Sequence, residues 1–182
     1  MTFKNTNHTY TILGILLLLM SCKSTQKVAK SGFQENDEAV NLYAFIGEKI
    51  AVMEFDPNEN NTEIKIDSIT GDSIRTVSYV IDHGFKNKYK VVQNVFNDLK
   101  TDTIEFVAYD HYGRPGFENY DYVLLYLSLN KEKGYFYHQK YQFDPVQKTK
   151  KGTWKGSHGE SIEELFNQKK KGVFTAGGLF DK

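Results

Sequence analysis

The chain has 182 residues, carries 23 basic and 23 acidic side chains, and is 14% aromatic. That length fits one domain with a short appendage. The balanced charge excludes the basic field of a nucleic-acid binder and a polybasic lipid-binding patch, and the single cysteine, Cys22, excludes both an internal disulfide and a cysteine-built zinc site.

Residues 1–9 are polar, with Lys4 and His8 as the basic groups, and an apolar run follows from Tyr10 to Met20. A run of about ten residues suits the ~7–15 of a signal-peptide core and falls short of the ~20 needed to cross a bilayer. Leu19-Met20-Ser21-Cys22 stands directly behind it and resembles the lipobox of bacterial lipoprotein signals. The resemblance implies cleavage before Cys22, a thioether-linked diacylglycerol on its sulfur and an acyl chain on its new amine. It therefore implies a cell-envelope protein whose first partner is a membrane, most simply the outer membrane. One acyl chain binds a membrane marginally, whereas two or more anchor it stably.

Loss of residues 1–21 removes only Lys4 among charged groups, leaving 22 basic against 23 acidic side chains, a net charge of −1. Residues 22–38 read as the lipidated cysteine and a polar, flexible tether, with a typical reach of about 20–25 Å. Residues 39–182 read as a single, mostly β domain.

Within it, Val40, Leu42 and Ala44 alternate with their neighbours, Gly47 interrupts, and Ile50, Val52 and Phe55 continue. A glycine inside a strand pattern marks a bulge or bend. Residues 56–61 form a turn cluster, Glu63–Asp67 alternates as a half-exposed strand, and Ile74–Ile81 is rich in β-branched residues. Asp82-His83-Gly84 reads as a tight turn. Phe85–Phe96 and Thr103–Tyr109 are further strands, the latter with Ile104, Phe106 and Ala108 on one side. Tyr122–Leu129 is almost continuously apolar, so it belongs at the centre of the sheet. Tyr135–Phe143 is expected as the last strand, stopped by Asp144-Pro145, with Tyr135, Tyr137, Tyr141 and Phe143 on one face.

Ser161-Ile-Glu-Glu164 is a capping box opening a helix over 161–171. Lys169, Lys170 and Lys171 suit its C-terminal end, Gly172 its stop, and Ile162, Leu165 and Phe166 form a stripe to dock on the sheet. Strands at close spacing with one helix predict an all-β, mainly antiparallel domain, a small barrel or sandwich with a C-terminal helix. The succession Phe85-Lys-Asn-Lys-Tyr-Lys-Val91, Asp102-Thr-Ile-Glu-Phe106, a glycine-rich loop and Val123-Leu-Leu-Tyr-Leu127 resembles OB-type domains of the netrin and TIMP kind. It implies a five-stranded barrel and no particular activity, since that fold hosts many functions.

The densest polar group is the loop after the fifth strand, Asp110, His111, Tyr112 and Arg114, a candidate for ligand or partner contact. Sequence neighbours on an extended chain point opposite ways, and no serine or cysteine sits in a nucleophile motif, so no catalytic residue is assigned. No pair of histidines has metal-motif spacing, and the acidic residues near Asp56 lack calcium-loop spacing, so neither a metal nor a cofactor is assigned. The expected function is a non-catalytic envelope module binding a protein or glycan. The alternative is a small hydrolase-like enzyme with its site near His111, in a pocket with Asp82 and Arg114.

Overall fold

Strands whose apolar residues alternate along their whole length can close a sheet on itself, and five strands here do so. The computed structural model describes residues 32–59 and 61–181. In chain order it contains β1 (Tyr43–Phe55), β2 (Thr62–Ile66), β3 (Ser73–Val77), β4 (His83–Phe96), β5 (Thr103–Asp110), β6 (Tyr122–Asn130), β7 (Tyr135–Lys148), β8 (Trp154–Gly156) and α1 (Ile162–Lys169). The order β5-β4-β1-β6-β7 is antiparallel throughout, and β7 returns to β5 in a short parallel contact of Phe106 with Phe136 and Val107 with Tyr137. The ring is a five-stranded barrel, not a sandwich. The hairpin β2–β3 forms a separate two-stranded sheet inserted between β1 and β4.

Two cores follow from the alternation. Phe45, Phe85, Tyr89, Phe106 and Leu125 fill the barrel, and Phe117, from a 3-10 turn at Gly116–Asn119, plugs it. Side chains on the outer face, among them Ala44, Ile46, Phe96 and Tyr126, pack against Ile162, Leu165 and Phe166 of α1. β6 lies between β1 and β7 with both faces covered, which is why Val123–Ser128 is an unbroken buried run. Gly47 sits at a register shift of β1 on β4, where a Cβ would stand 3.0 Å from the rings of both Phe45 and Tyr89.

The capping box forms: Ser161 Oγ accepts from the Glu164 amide, and Glu164 accepts from the Ser161 amide. Burial outweighs the cap in holding α1. A cap contributes ~1 kcal/mol, whereas each large apolar side chain taken out of water contributes ~1.5–3 kcal/mol. The helix ends at Lys169, two residues short of the expected boundary, and a wide turn over Lys170–Phe174 follows, broken at Gly172. That turn carries Phe174 into the outer core beside Tyr126.

Several expectations are corrected. Asp144-Pro145 does not stop β7, which runs on to Lys148. β8 begins to pair with it only at Val146, so a residue without an N–H costs no ladder bond on that side. The polar, glycine-containing stretch 146–159 thus contains the end of β7 and all of β8, with Trp154 buried against Tyr122. His83 and Gly84 are the first residues of β4 rather than a turn, and β3 ends at Val77 rather than at Ile81. Residues 1–21 and most of the expected tether lie outside the described residues. The tether's last part, 33–38, is docked rather than free: Glu35 bridges to Phe96, and Phe33 packs on Phe166.

Asn97 secures this docked segment. It is buried and adopts a left-handed φ of 50°. Its side-chain nitrogen donates to the carbonyls of Asp37, Val40 and Leu42 at 2.9, 3.1 and 2.9 Å, and its side-chain oxygen accepts from the Asp37 amide at 2.8 Å. A residue without that amide would leave buried carbonyls unpaired, at ~1–3 kcal/mol for such groups. Asn97→Ala should lower the unfolding free energy by about 2–4 kcal/mol in denaturant titration; a change under about 0.5 kcal/mol would show the clasp to be unimportant.

Candidate functional site

The parallel seam between β5 and β7 holds only two residue pairs, and a cleft opens beside it. It has a volume of about 640 Å³ and is bounded by Val80 and Asp82 from the β1–β4 connection, Tyr109 at the end of β5, Asn130 and Tyr135 flanking the β6–β7 turn, and β7 itself.

The cleft's shape comes from an irregularity in β7. Leu125 pairs with Phe143 and Leu127 with His138, so residues 139–142 bulge out opposite Tyr126 alone. Tyr141 takes a left-handed φ of 65° at this bulge. The extra residues shift the in–out alternation: even-numbered His138 and odd-numbered Phe143 both pack against Phe117. The expected single-face stripe of Tyr135, Tyr137, Tyr141 and Phe143 is therefore split. Tyr135 and Tyr137 line the cleft, Tyr141 lies out on the bulge, and Phe143 joins the barrel core.

His138 holds the bulge closed, with its Nε2–H donating to the Gln142 carbonyl at 2.8 Å. The bulge in turn delivers Lys140 to Asp82, Nζ to carboxylate at 2.6 Å, while His111 Nδ1 stands 3.2 Å from the other Asp82 oxygen. The hydrogen bond from Lys140, with a smaller contribution from His111, holds the Asp82 carboxyl below its usual range, and Asp82 raises Lys140 in return. Both groups are therefore charged at neutral pH and largely compensate each other. Beside them, Gln139 is fixed by donating to Ser128 Oγ at 2.6 Å, and Asn130 accepts from the Lys133 amide at 2.9 Å.

The loop singled out in the sequence divides over two sides of this geometry. Asp110 is buried and accepts from the Tyr112 amide at 2.9 Å, so it shapes the turn. His111 reaches Asp82. Tyr112 is 88% exposed, edge-on to His111 and 6.3 Å from the Tyr141 ring, forming an aromatic rim. Arg114 faces β1 instead: it donates to Glu118 at 2.6 Å and to the Val52 carbonyl at 3.2 Å, and it lies over Phe85. The pairing of His111 with Asp82 thus forms, and Arg114 is held away from it. Among the described residues, no group of three His, Cys, Asp or Glu side chains could hold a metal ion.

Lys140, Gln139, Asn130 and Tyr109 carry no signal in the sequence, whereas Tyr135 and Tyr137 stand out there as part of a tyrosine stripe that suits a cross-strand ladder or a binding platform. Nothing in the composition of that strand marks the bulge that sorts its faces.

Burial inside the barrel pushes the His138 imidazole down to about 4 from 6.5, against the favourable bond to Gln142 and with Lys169 adding to the depression. A group whose folded value is depressed favours the unfolded chain once it takes a proton, so its stability is present above pH 6.5 and is lost as pH falls toward 4. The domain should lose about 3 kcal/mol of unfolding free energy through this group over that window. His138→Gln, which keeps a donor, should show a visibly shallower decline in denaturant titrations at stepped pH; parallel declines would exclude the histidine as their source.

No family model matches the chain, and neither a curated protein nor a solved structure matches it.

Proposed function

We propose that the chain is a membrane-anchored binding module of the bacterial cell envelope, tied to the outer membrane through an acylated Cys22, and that its ligand is a neutral glycan seated in the cleft. The observation that carries the ligand assignment is the company the cleft keeps. Three tyrosines, Tyr109, Tyr135 and Tyr137, stand among the amides of Asn130 and Gln139, and the one nearby charge pair, Asp82 with Lys140, is already joined. Flat aromatic faces accept the apolar face of a sugar ring, and fixed amides and a carboxylate accept or donate to its hydroxyls. Such a set of apolar walls with a few placed polar groups is the usual make-up of a small-ligand site. A joined ion pair gives a charged ligand little net attraction, and a net charge of −1 after cleavage offers none to nucleic acid.

The anchor rests on the order of the first 22 residues, an apolar run followed at once by the chain's single cysteine. Diacylglycerol plus one acyl chain is ample for stable attachment.

A second reading, a small envelope hydrolase, is favoured by the 3.2 Å contact of His111 with Asp82, since a carboxylate can orient an imidazole for general-base work. Glycan turnover by the wild type that disappears in His111→Ala would select it over simple binding.

In cells fed labelled fatty acid, the wild-type chain should carry label and Cys22→Ser should carry none and keep its first 21 residues; label in the variant would overturn the anchor. With the purified full-length chain in detergent, calorimetric titration against neutral envelope oligosaccharides should find a binder. Tyr137→Ala should weaken it about 5–10-fold, the loss of one aromatic face. Undiminished affinity in that variant would remove the cleft as the site.

A further inference from the structure

The hairpin β2–β3 is exposed along both strands. An isolated two-stranded hairpin is marginal in water unless another strand or a packed face supports it. Its hydrogen-bond phase decides which backbone groups are free. The Asp67 amide donates to the Asp72 carbonyl, and the Ser78 amide donates to the Asn61 carbonyl. Positions 61, 63, 65 and 67 therefore turn their backbone groups toward β3. By the alternation of antiparallel ladders, the N–H and C=O groups of Thr62, Ile64 and Ile66 face the other way, along an edge of β2 that pairs with no described strand.

We propose that this edge pairs with the same edge of a second copy of the chain, antiparallel about a two-fold axis at Ile64. Ile64 then exchanges both backbone bonds with Ile64 of the second copy, and Thr62 exchanges them with Ile66. Charge complementarity is what selects a second copy as the occupant. In this register Glu63 of each chain stands opposite Lys65 of the other, at the non-hydrogen-bonded positions where cross-strand side chains come closest. The segment Thr62-Glu-Ile-Lys-Ile66 is thus complementary to its own reverse. Glu63 and Lys65 already project together from one face, 3.1 Å apart, so both are on the side the pairing requires.

The edge of β3 lacks this property. Its outward residues are Ser73, Arg75 and Val77, and a two-fold axis at its centre sets Arg75 against Arg75. On the opposite face of the β2 pairing, Ile64 and Ile66, 67% and 65% exposed, come together with their counterparts. Ile64 and Ile66 of the two copies form an apolar patch over the two central strands, with Thr62 between it and Val77 and with Arg75 beside Ile64 on β3. The association uses no residue of the cleft and is independent of the ligand proposed there.

Sedimentation equilibrium of the full-length chain in detergent, combined with hydrogen exchange at the Thr62, Ile64 and Ile66 amides, tests this directly. The wild type should form a dimer by mass action, with these amides gaining protection as concentration rises. Glu63→Lys sets lysine against Lys65, and Lys65→Glu sets glutamate against Glu63. Each should weaken the dimer about ten-fold or more, and the double reversal Glu63→Lys/Lys65→Glu should restore it to within about three-fold. A chain that stays monomeric with these amides freely exchanging, single reversals without effect, or a double reversal that fails to restore association would each overturn the proposal.

Discussion

Ring closure by β7 is the constraint on which the rest of the structure depends. Four of the five barrel contacts are antiparallel, and one of these, β1 with β6, joins strands that have four others between them in the chain. The fifth, β7 against β5, is parallel and only two residue pairs long. With that seam made, the sheet has no free edge in the barrel, and the side chains of Phe45, Phe85, Phe106 and Leu125 face one another across a filled interior. Without it, the same side chains would line an open sheet with nothing to cover them. Phe117 shows how tightly the ends are managed: the 3-10 turn after β5 places one ring within reach of Tyr89, Phe106, His138 and Phe143.

The price of asking one strand to serve two neighbours is the bulge at 139–142, and the candidate site is built from it. β7 must follow β6 antiparallel along most of its length and also approach β5 near its start. The extra residues opposite Tyr126 absorb the mismatch, and a buried imidazole bonds them shut. Lys140 reaches Asp82 because of that bulge, Gln139 reaches Ser128, and the tyrosines before it face the cleft. Fold and site therefore share one cause, and the buried histidine belongs to both.

Much of the barrel was legible in the sequence, for physical reasons that also explain the failures. Ile104, Phe106 and Ala108 alternate strictly and point into the core as read; Val123–Leu127 is apolar throughout because both of its faces are covered. The capping box of α1 is local, so Ser161 and Glu164 disclose it without knowledge of the fold. Pro145 misled because proline penalises a strand only where its missing N–H is needed, which depends on where β8 starts. Glu35 and Phe33 read as tether because polar composition cannot show that Asn97, more than fifty residues away, bonds three carbonyls of the adjoining segment. In the site, Asp82 and His111 were both singled out, and their meeting is a matter of tertiary structure alone. Arg114 was placed with them by sequence proximity, whereas Glu118, Glu54 and the Val52 carbonyl draw it to β1.

The three proposals are separable: the anchor concerns Cys22, ligand recognition the cleft along β7, and association the edge of β2. The cleft belongs to a barrel that closes through two neighbouring residue pairs between β5 and β7. Nuclear Overhauser spectroscopy on the isotope-labelled chain examines those contacts directly. Closure predicts backbone cross-peaks of a parallel ladder linking Phe106 and Val107 with Phe136 and Tyr137. Their absence, with the β6–β7 cross-peaks intact, would mean an open sheet and would contradict the barrel, the bulge and the cleft together.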